Sequence, residues 1–440
     1  MDDFTYTCKR TVVSSKPVQP GKSFPLSVLD RIMEPNHLRI LYYYRTPGGR
    51  DVGETTKKLR ESMSEMLTCF PIVTGRLVKD KKGKNWMIKC NDAGARMVEA
   101  KLNGSLDDWL DKVDSDKEFN LIYWKDMSHN PYFWSTFNIQ ITEFEEGGIA
   151  IGLSCFHLLA DPSCATMFIK AWADITLGRK MMTPPLCHPL PSRRHGNNNS
   201  GHRSYTDLIN YYKSTIETKN LVADARHTTI SFRFTDPMVR ACMTKARTIG
   251  LSATTPFQAL AGLFWACISK IKGKRNGLID MCIGLDMRKV LGLDEGFFGN
   301  CMVYNKVHSN STGYDGAARA IEKEIEKIDN EGIMDLIEWL ENNECRSSPL
   351  MSGCDLICSN LGGIDPYLAT FEEGYDPLRV SYYVEPFAGV GHVLVLPSQS
   401  GGGVMSKVVM VTLPEMEVVK LCEDDLILSF SPTILMETKK

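Results

Sequence analysis

A predicted strand, a histidine and a predicted helix follow one another between residues 149 and 175, and this order constrains the fold more than any other feature of the chain. From Ile149 to Cys155, large apolar residues alternate with smaller ones, which is the period of a β-strand. Asp161 and Pro162 then match a helix N-cap followed by proline at the first helical position. His157 is therefore predicted to lie at a corner where a buried strand passes into a helix.

The chemistry of His157 allows two interpretations at this point. A neutral imidazole, with an ordinary pKa of about 6.5, is suited to act as a general base near neutral pH. A histidine four residues before an aspartate also occurs by chance, and Asp161 is already explained as a helix cap. The segment alone leaves a catalytic base and a structural histidine both open, so the rest of the chain must decide.

Composition excludes several classes of protein. The 440 residues carry a formal net charge of −2 and no basic block, so nucleic acid is not an expected partner. No apolar stretch follows Met1, and no run approaches the roughly 18 apolar residues that span a bilayer. We therefore expect a cytoplasmic protein without a secretory signal or a transmembrane segment.

The cysteines are expected to be reduced and buried. There are 14 of them, scattered along the chain and often inside apolar runs. None has the spacing of a zinc site, and Cys354 with Cys358 is too small a set to hold a metal. The sequence therefore predicts no metal centre.

Strand and helix patterns occur on both sides of a proline-rich stretch at residues 178–204. This arrangement predicts an α/β (α+β) chain of two domains, each a mixed sheet with helices, divided within 178–225. The predicted bounds are 1–180 for the N-terminal domain, 181–225 for a linker and 226–440 for the C-terminal domain.

Local patterns place several elements. The segments 133–144 and 148–156 predict a β-hairpin that turns at 145–147. Residues 205–219 predict a helix, and residues 380–385 predict a strand of the C-terminal domain.

Six short motifs follow one another along the whole chain. They are Leu26-Ser27-x-Leu29-Asp30, Phe70-Pro71…Gly75-Arg76-Leu77, His157…Asp161, Thr255-x-Phe257-x-x-Leu260-x-x-x-x-Trp265, Asp286-x-Arg288 and Gly296-Phe297-Phe298-Gly299-Asn300. Each motif alone is weak, but their order and spacing together are specific. On these residues the chain resembles the plant BAHD acyltransferases, the HXXXD-type family.

The resemblance implies a fold and a reaction. The fold would be two chloramphenicol-acetyltransferase-like domains joined by a crossover linker, with a channel between them. The reaction would move an acyl group from a CoA thioester to a small acceptor that bears a hydroxyl or an amine. Acyl-CoA would be a co-substrate and no cofactor would be needed. The family also suggests a monomeric enzyme of plant specialised metabolism.

The resemblance also implies roles for individual residues. His157 would be the general base. Asp161 would point away from the substrate and pair with Arg288, so both would orient the site rather than react. An oxyanion donor would come from Ser359 or Asn360, although the tryptophan usual near this place is missing.

The chain departs from the family at its second signature, Asp-Phe-Gly-Trp-Gly. The matching place reads Phe387-Ala388-Gly389-Val390-Gly391, so the acid and the tryptophan are absent while both glycines remain. The nearest acid is Glu385. We expect Phe387, Gly389 and Gly391 to form a turn with a structural role only, in which Phe387 is buried.

This departure is shared with the eceriferum-like branch of the family, which provides a rival hypothesis. That branch assists the elongation of very long fatty acyl chains for wax, beside a condensing enzyme on the endoplasmic reticulum and without acyl transfer of its own. The protein would then lie peripherally on that membrane. The intact His157 and Asp161 favour the enzyme, and the missing acid favours the accessory protein. A protein that only binds an acyl group is a third alternative.

Overall fold

The computed structural model describes residues 4–16, 21–47, 52–125, 131–192, 203–217, 226–247, 254–274, 277–309, 313–343, 354–385, 391–399 and 403–436. The chain divides into two compact units. Unit 1 comprises Met1–Pro189, Asp294–Asn300 and Asp365–Glu385, and unit 2 comprises Leu190–Leu293, Cys301–Ile364 and Pro386–Lys440.

The described strands are β1 (Phe4–Val12), β2 (Ser23–Pro25), β3 (His37–Tyr44), β4 (Arg76–Lys79), β5 (Trp86–Lys89), β6 (Ala95–Leu102), β7 (Phe137–Phe144), β8 (Ile149–Phe156), β9 (His227–Phe234), β10 (Met281–Asp286), β11 (Met302–Val307), β12 (Leu356–Asn360), β13 (Arg379–Glu385), β14 (His392–Pro397), β15 (Lys407–Pro414) and β16 (Thr433–Ile434). The described helices are α1 (Val28–Arg31), α2 (Val52–Leu67), α3 (Pro71–Thr74), α4 (Leu106–Lys112), α5 (Ser115–Phe119), α6 (Pro162–Thr176), α7 (Arg203–Glu217), α8 (Asp236–Ala246), α9 (Pro256–Ile271), α10 (Tyr314–Glu326), α11 (Asn330–Asn342), α12 (Glu415–Cys422) and α13 (Asp425–Leu428).

Unit 1 is built on a six-stranded sheet with the order β1-β6-β7-β8-β3-β13. Strands β6 and β7 run parallel, and the other neighbours run antiparallel. Every residue of β7 and all but the last of β8 are buried. Burial on both faces explains the near-continuous apolar sequence of β8, whereas β7 buries polar residues between its apolar ones. Strands β2, β5 and β4 form a separate three-stranded sheet.

The hairpin predicted from the sequence is confirmed as β7 and β8. Its turn requires glycine, because Gly147 and Gly148 have φ angles of 101° and 102°. A Cβ on Gly148 would also lie 2.7 Å from Leu106 Cδ2, so this position tolerates no side chain. The turn thus fixes the register that leads β8 towards His157.

Strand β13 shows where the predicted domain bounds differ from the structure. Residues 380–385 were expected in a C-terminal domain of 226–440, but β13 pairs with β3 along its whole length and belongs to unit 1. Residues 294–300 belong to unit 1 as well. Strand pairing depends on complementary surfaces far apart in sequence, and the segment 380–385 carries no local mark of its partner.

Unit 2 contains a seven-stranded sheet with the order β11-β10-β12-β14-β15-β9-β16. The pairs β10–β12 and β12–β14 are parallel, and the remaining pairs are antiparallel. The prediction of a mixed sheet with helices in each half is confirmed. The helix expected at 205–219 is α7, so the segment assigned to a linker contains a helix of unit 2.

Two cysteines of unit 2 are not the reduced thiols that the sequence predicts. Cys282 on β10 and Cys354 form a disulfide with a Cα–Cα distance of 6.2 Å. Two cysteines 72 residues apart meet because β10 and β12 are neighbouring strands, and sequence spacing gave no sign of this.

No helix within the described residues is long and apolar enough to cross a membrane.

Candidate active site

His157 lies directly after β8 and before α6, as the sequence predicts. The Asp161 side chain accepts a hydrogen bond from Cys164 N at 2.9 Å, and Pro162 is the first residue of α6. The predicted N-cap is therefore confirmed. The backbone of His157 is tied to the neighbouring chain, because its N–H donates to Asn36 O at 2.9 Å.

The His157 ring is held by Asn300, which belongs to unit 1 although it follows His157 by 143 residues. His157 Nδ1 lies 2.8 Å from Asn300 Oδ1. Asn300 Nδ2 donates to His157 O at 2.8 Å and to Asp30 Oδ1 at 2.9 Å. Because both amide hydrogens point at oxygen atoms, Oδ1 is the atom that faces the ring, and it can only accept. His157 Nδ1 therefore carries the hydrogen, and Nε2 carries the lone pair.

His157 Nε2 is buried and has no hydrogen-bond partner among the described residues. The residue as a whole is 1% exposed. One ring nitrogen is therefore held by Asn300, and the other has no partner in the part of the chain that the structure describes. A structural histidine would have both nitrogens satisfied, so the geometry favours the catalytic interpretation.

The environment keeps the ring neutral. Burial lowers the pKa of His157 below its ordinary value, while Asp161, the hydrogen bond to Asn300 and Asp30 oppose this shift. An uncharged imidazole at neutral pH is the form that a general base requires.

Asp30 is a buried carboxylate that sequence reasoning assigned no role. Its Oδ2 accepts from Ser27 N and Ser27 Oγ, both at 2.7 Å, and its Oδ1 accepts from Asn300 N at 2.8 Å and Asn300 Nδ2. The motifs that contain Asp30 and Asn300 were both visible in the sequence. Nothing in either motif indicated that the two would meet at His157.

The partner predicted for Asp161 stays a prediction. Asp161 is fully buried, as a helix cap that also serves the site should be. Arg288 makes two bonds to Asp286: its backbone N donates to Oδ1 at 2.9 Å, and its Nη1 donates to Oδ2 at 2.7 Å. An ion pair between Asp161 and Arg288 is what the family resemblance implies.

The two oxyanion candidates have different surroundings in β12 of unit 2. Ser359 is buried, and its Oγ lies 3.2 Å from Nε2 of His392, another buried residue. Gly284 on the neighbouring strand leaves room for this hydroxyl, because a Cβ there would lie 2.8 Å from Ser359 Oγ. The Asn360 side chain instead accepts from Gly362 N at 2.9 Å, within its own turn.

Of the second signature, only Gly391 is described. Phe387 and Gly389 lie outside the described residues, so their expected turn stays a prediction. A Cβ on Gly391 would collide with the Leu413 side chain and lie 3.2 Å from Leu356 Cδ1, so close packing requires glycine here. The nearest acid, Glu385, is paired with Arg39 in unit 1 at 3.0 Å.

Comparisons with known proteins agree with these motifs. A family model described as "Transferase family" matches residues 3–426. Rosmarinate synthase from Plectranthus scutellarioides is 28% identical over 413 residues, covering 89% of this chain and 93% of that protein. Protein ECERIFERUM 26-like from Arabidopsis thaliana is 24% identical over 422 residues, covering 93% of this chain and 92% of that protein.

The fold has a solved counterpart. The crystal structure of vinorine synthase matches with a TM-score of 0.73 and 18% sequence identity, and the match covers 99% of each chain. At this level of identity the likeness concerns the fold alone, and it agrees with the two-domain architecture expected from the sequence.

Proposed function

Because this chain belongs to the BAHD acyltransferases of the transferase family, whose model spans residues 3–426, we propose that it transfers an acyl group from a CoA thioester to a small acceptor. The acceptor would bear a hydroxyl or an amine. The observation that carries the proposal is Nε2 of His157, which no described residue contacts by a hydrogen bond, in a ring whose other nitrogen is held by Asn300.

The reaction would proceed by general base catalysis. His157 Nε2 takes the proton of the acceptor hydroxyl or amine as the acceptor atom attacks the thioester carbonyl carbon. The tetrahedral intermediate collapses, the carbon–sulfur bond breaks, and the sulfur of CoA receives the proton from His157. General base help of this kind contributes about 10²–10⁴ in rate. Acyl-CoA is a co-substrate in this scheme, and no further cofactor takes part.

Charge on the thioester oxygen would be stabilised by a hydroxyl or amide donor. We propose Ser359 rather than Asn360 for this role. The Ser359 hydroxyl is buried beside His392, whereas Asn360 Oδ1 accepts from Gly362 N and so holds the Asn360 amide in a turn at the surface. A donor in a buried, water-excluded place stabilises developing charge better than one in an exposed turn.

Asp161 and Arg288 would orient the site without touching the reacting atoms. Asp161 begins α6 and so fixes the backbone four residues after His157. Its buried charge also opposes the lowering of the pKa of His157. Both effects support a positioning role.

A panel of acyl-CoA thioesters and acceptors tests the proposal. The purified protein is incubated with aliphatic and aromatic acyl-CoAs, each with and without alcohol and amine acceptors, and free thiol is measured together with the acylated product. Acceptor-dependent thiol release is expected. Thiol release that never exceeds the level without acceptor would contradict the proposal.

One sequence feature favours a second function. The second signature lacks its acid and tryptophan between Phe387 and Gly391, and an ECERIFERUM relative covers 93% of the chain. Under this alternative the protein assists chain elongation beside a condensing enzyme at the endoplasmic reticulum, whereas the enzyme would act in the cytoplasm. Co-expression with a condensing enzyme, followed by analysis of chain lengths, tests it.

A further inference from the structure

We propose that Asp30 is a positioning residue which, through Asn300, keeps His157 in the tautomer with its lone pair on Nε2. This inference rests on the proposed function, in which Nε2 is the base. The three residues form one continuous hydrogen-bonded chain within unit 1, and all three are buried.

The orientation of the Asn300 amide favours one tautomer of His157, alongside a hydrogen bond of the ring to its own backbone. In the observed orientation Oδ1 faces Nδ1, so Nδ1 must carry the hydrogen. If the amide rotated by half a turn, its NH₂ group would face Nδ1. Nδ1 would then accept, the hydrogen would move to Nε2, and the ring would present a donor where a base is needed.

Asp30 prevents this rotation. Asn300 Nδ2 lies 2.9 Å from Asp30 Oδ1 and 2.8 Å from His157 O. A rotated amide would place its oxygen against a carboxylate and a carbonyl oxygen, with no hydrogen between them. That arrangement loses both hydrogen bonds of Nδ2 and is therefore the less favourable of the two.

Asp30 is itself fixed in place by its partners. Four hydrogens point at its two oxygens: those on N and Oγ of Ser27, and those on N and Nδ2 of Asn300. Burial raises the pKa of Asp30 and outweighs these four donors, which act in the opposite direction. The Ser27 bonds also form the capping box of α1, which holds the carboxylate in place.

The structural alternative is that Asp30 merely stabilises α1. Ser27→Ala is the matched control, because it removes the α1 hydroxyl cap and leaves both Asp30–Asn300 bonds in place. Asp30→Ala removes the acceptor that orients the amide. Asn300→Leu removes the amide itself, while three of the four donors to Asp30 remain, so it serves as the second test variant if Asp30→Ala does not fold.

The measurement is nitrogen NMR of the full-length protein labelled at histidine, with the His157 signals identified by their absence in His157→Gln. In the wild type and in Ser27→Ala we expect a protonated Nδ1 and an unprotonated Nε2. In Asp30→Ala and Asn300→Leu we expect the hydrogen to shift wholly or partly to Nε2. A folded Asp30→Ala or Asn300→Leu protein with the wild-type tautomer would overturn the proposal, as would the same shift in Ser27→Ala.

Kinetics separate this inference from the proposed function. If the protein transfers acyl groups, Asp30→Ala should lower kcat by at least about tenfold with little change in KM for acyl-CoA, because the base and not the binding of the thioester is affected. The NMR result does not depend on turnover. If Asp30→Ala changes the tautomer of His157 but the wild-type protein shows no transferase activity, the result would support the positioning role of Asp30 and count against the proposed reaction.

Discussion

The His157 ring is buried, and one of its nitrogens has no hydrogen-bond partner among the residues that the structure describes. This environment determines how the site responds to pH. Burial lowers the pKa of His157, and the two carboxylates of Asp161 and Asp30 oppose the shift without cancelling it. A base works in its unprotonated form. A lowered pKa therefore keeps the ring active to lower pH than an ordinary histidine would remain.

We predict that the acid limb of the pH profile of kcat/KM has its midpoint below pH 6.5, which is the ordinary pKa of a histidine. The profile is measured with the best pair from the acyl-CoA panel. His227→Ala serves as the control, because His227 begins β9 in unit 2 and should leave the limb unchanged. An acid limb above the ordinary value would mean that a group other than this buried imidazole controls the reaction.

The two oxyanion candidates are separated by a second prediction. Ser359→Ala should lower kcat by about 10²-fold, as the loss of one oxyanion donor typically does. Asn360→Ala, the matched control on the next residue, should change kcat by less than about tenfold, because its side chain serves the turn at Gly362. The reverse ranking would assign the donor to Asn360.

At the scale of elements, a buried ion pair holds β13 in the sheet of unit 1. Arg379 on β13 donates to Glu118 on α5 at 2.8 Å, and Tyr43 on β3 donates to the same carboxylate at 3.1 Å. Tyr383 also donates to Glu118. Glu118 is fully buried, so its charge depends on these partners. The network joins a helix from early in the chain to a strand that arrives much later.

Removal of Glu118 should therefore destabilise the protein strongly. Glu118→Ala leaves Arg379 buried without its counter-ion, and we expect a loss of about 3–5 kcal/mol in the free energy of unfolding. The control is Asp107→Ala, which breaks an ion pair at the surface. The side chain of Arg45 in this pair is 58% exposed and that of Asp107 is 62% exposed. Exposed pairs contribute about 0–1 kcal/mol. Urea unfolding midpoints that shift equally in both variants would contradict this account.

Local elements could be predicted from the sequence because their causes are local. The β7–β8 hairpin was visible in two strand-like segments separated by a short turn with glycine, and the start of α6 was visible in Asp161 and Pro162. The placement of β13 beside β3 was not predictable in this way. Its sequence indicates a strand, but only the folded sheet shows which edge accepts it.

At the scale of the whole molecule, the first unit is not continuous in sequence. It takes up residues 294–300 and 365–385 from the second half of the chain. The first of these segments brings Asn300 to His157, and the second brings β13 to the sheet. The histidine could be singled out from the sequence because its segment is local. Its ring partner could not, because that contact joins residues 143 positions apart.

The central claim is that His157 is a base in an acyl transfer, and His157→Ala tests it most directly. The variant and the wild type are assayed side by side for acceptor-dependent thiol release and for support of chain elongation with a condensing enzyme. We predict that His157→Ala loses transfer by about 10²–10⁴-fold while its folding and acyl-CoA binding stay nearly unchanged. A wild-type protein that supports elongation without detectable transfer, together with a His157→Ala variant that supports it equally well, would contradict the claim.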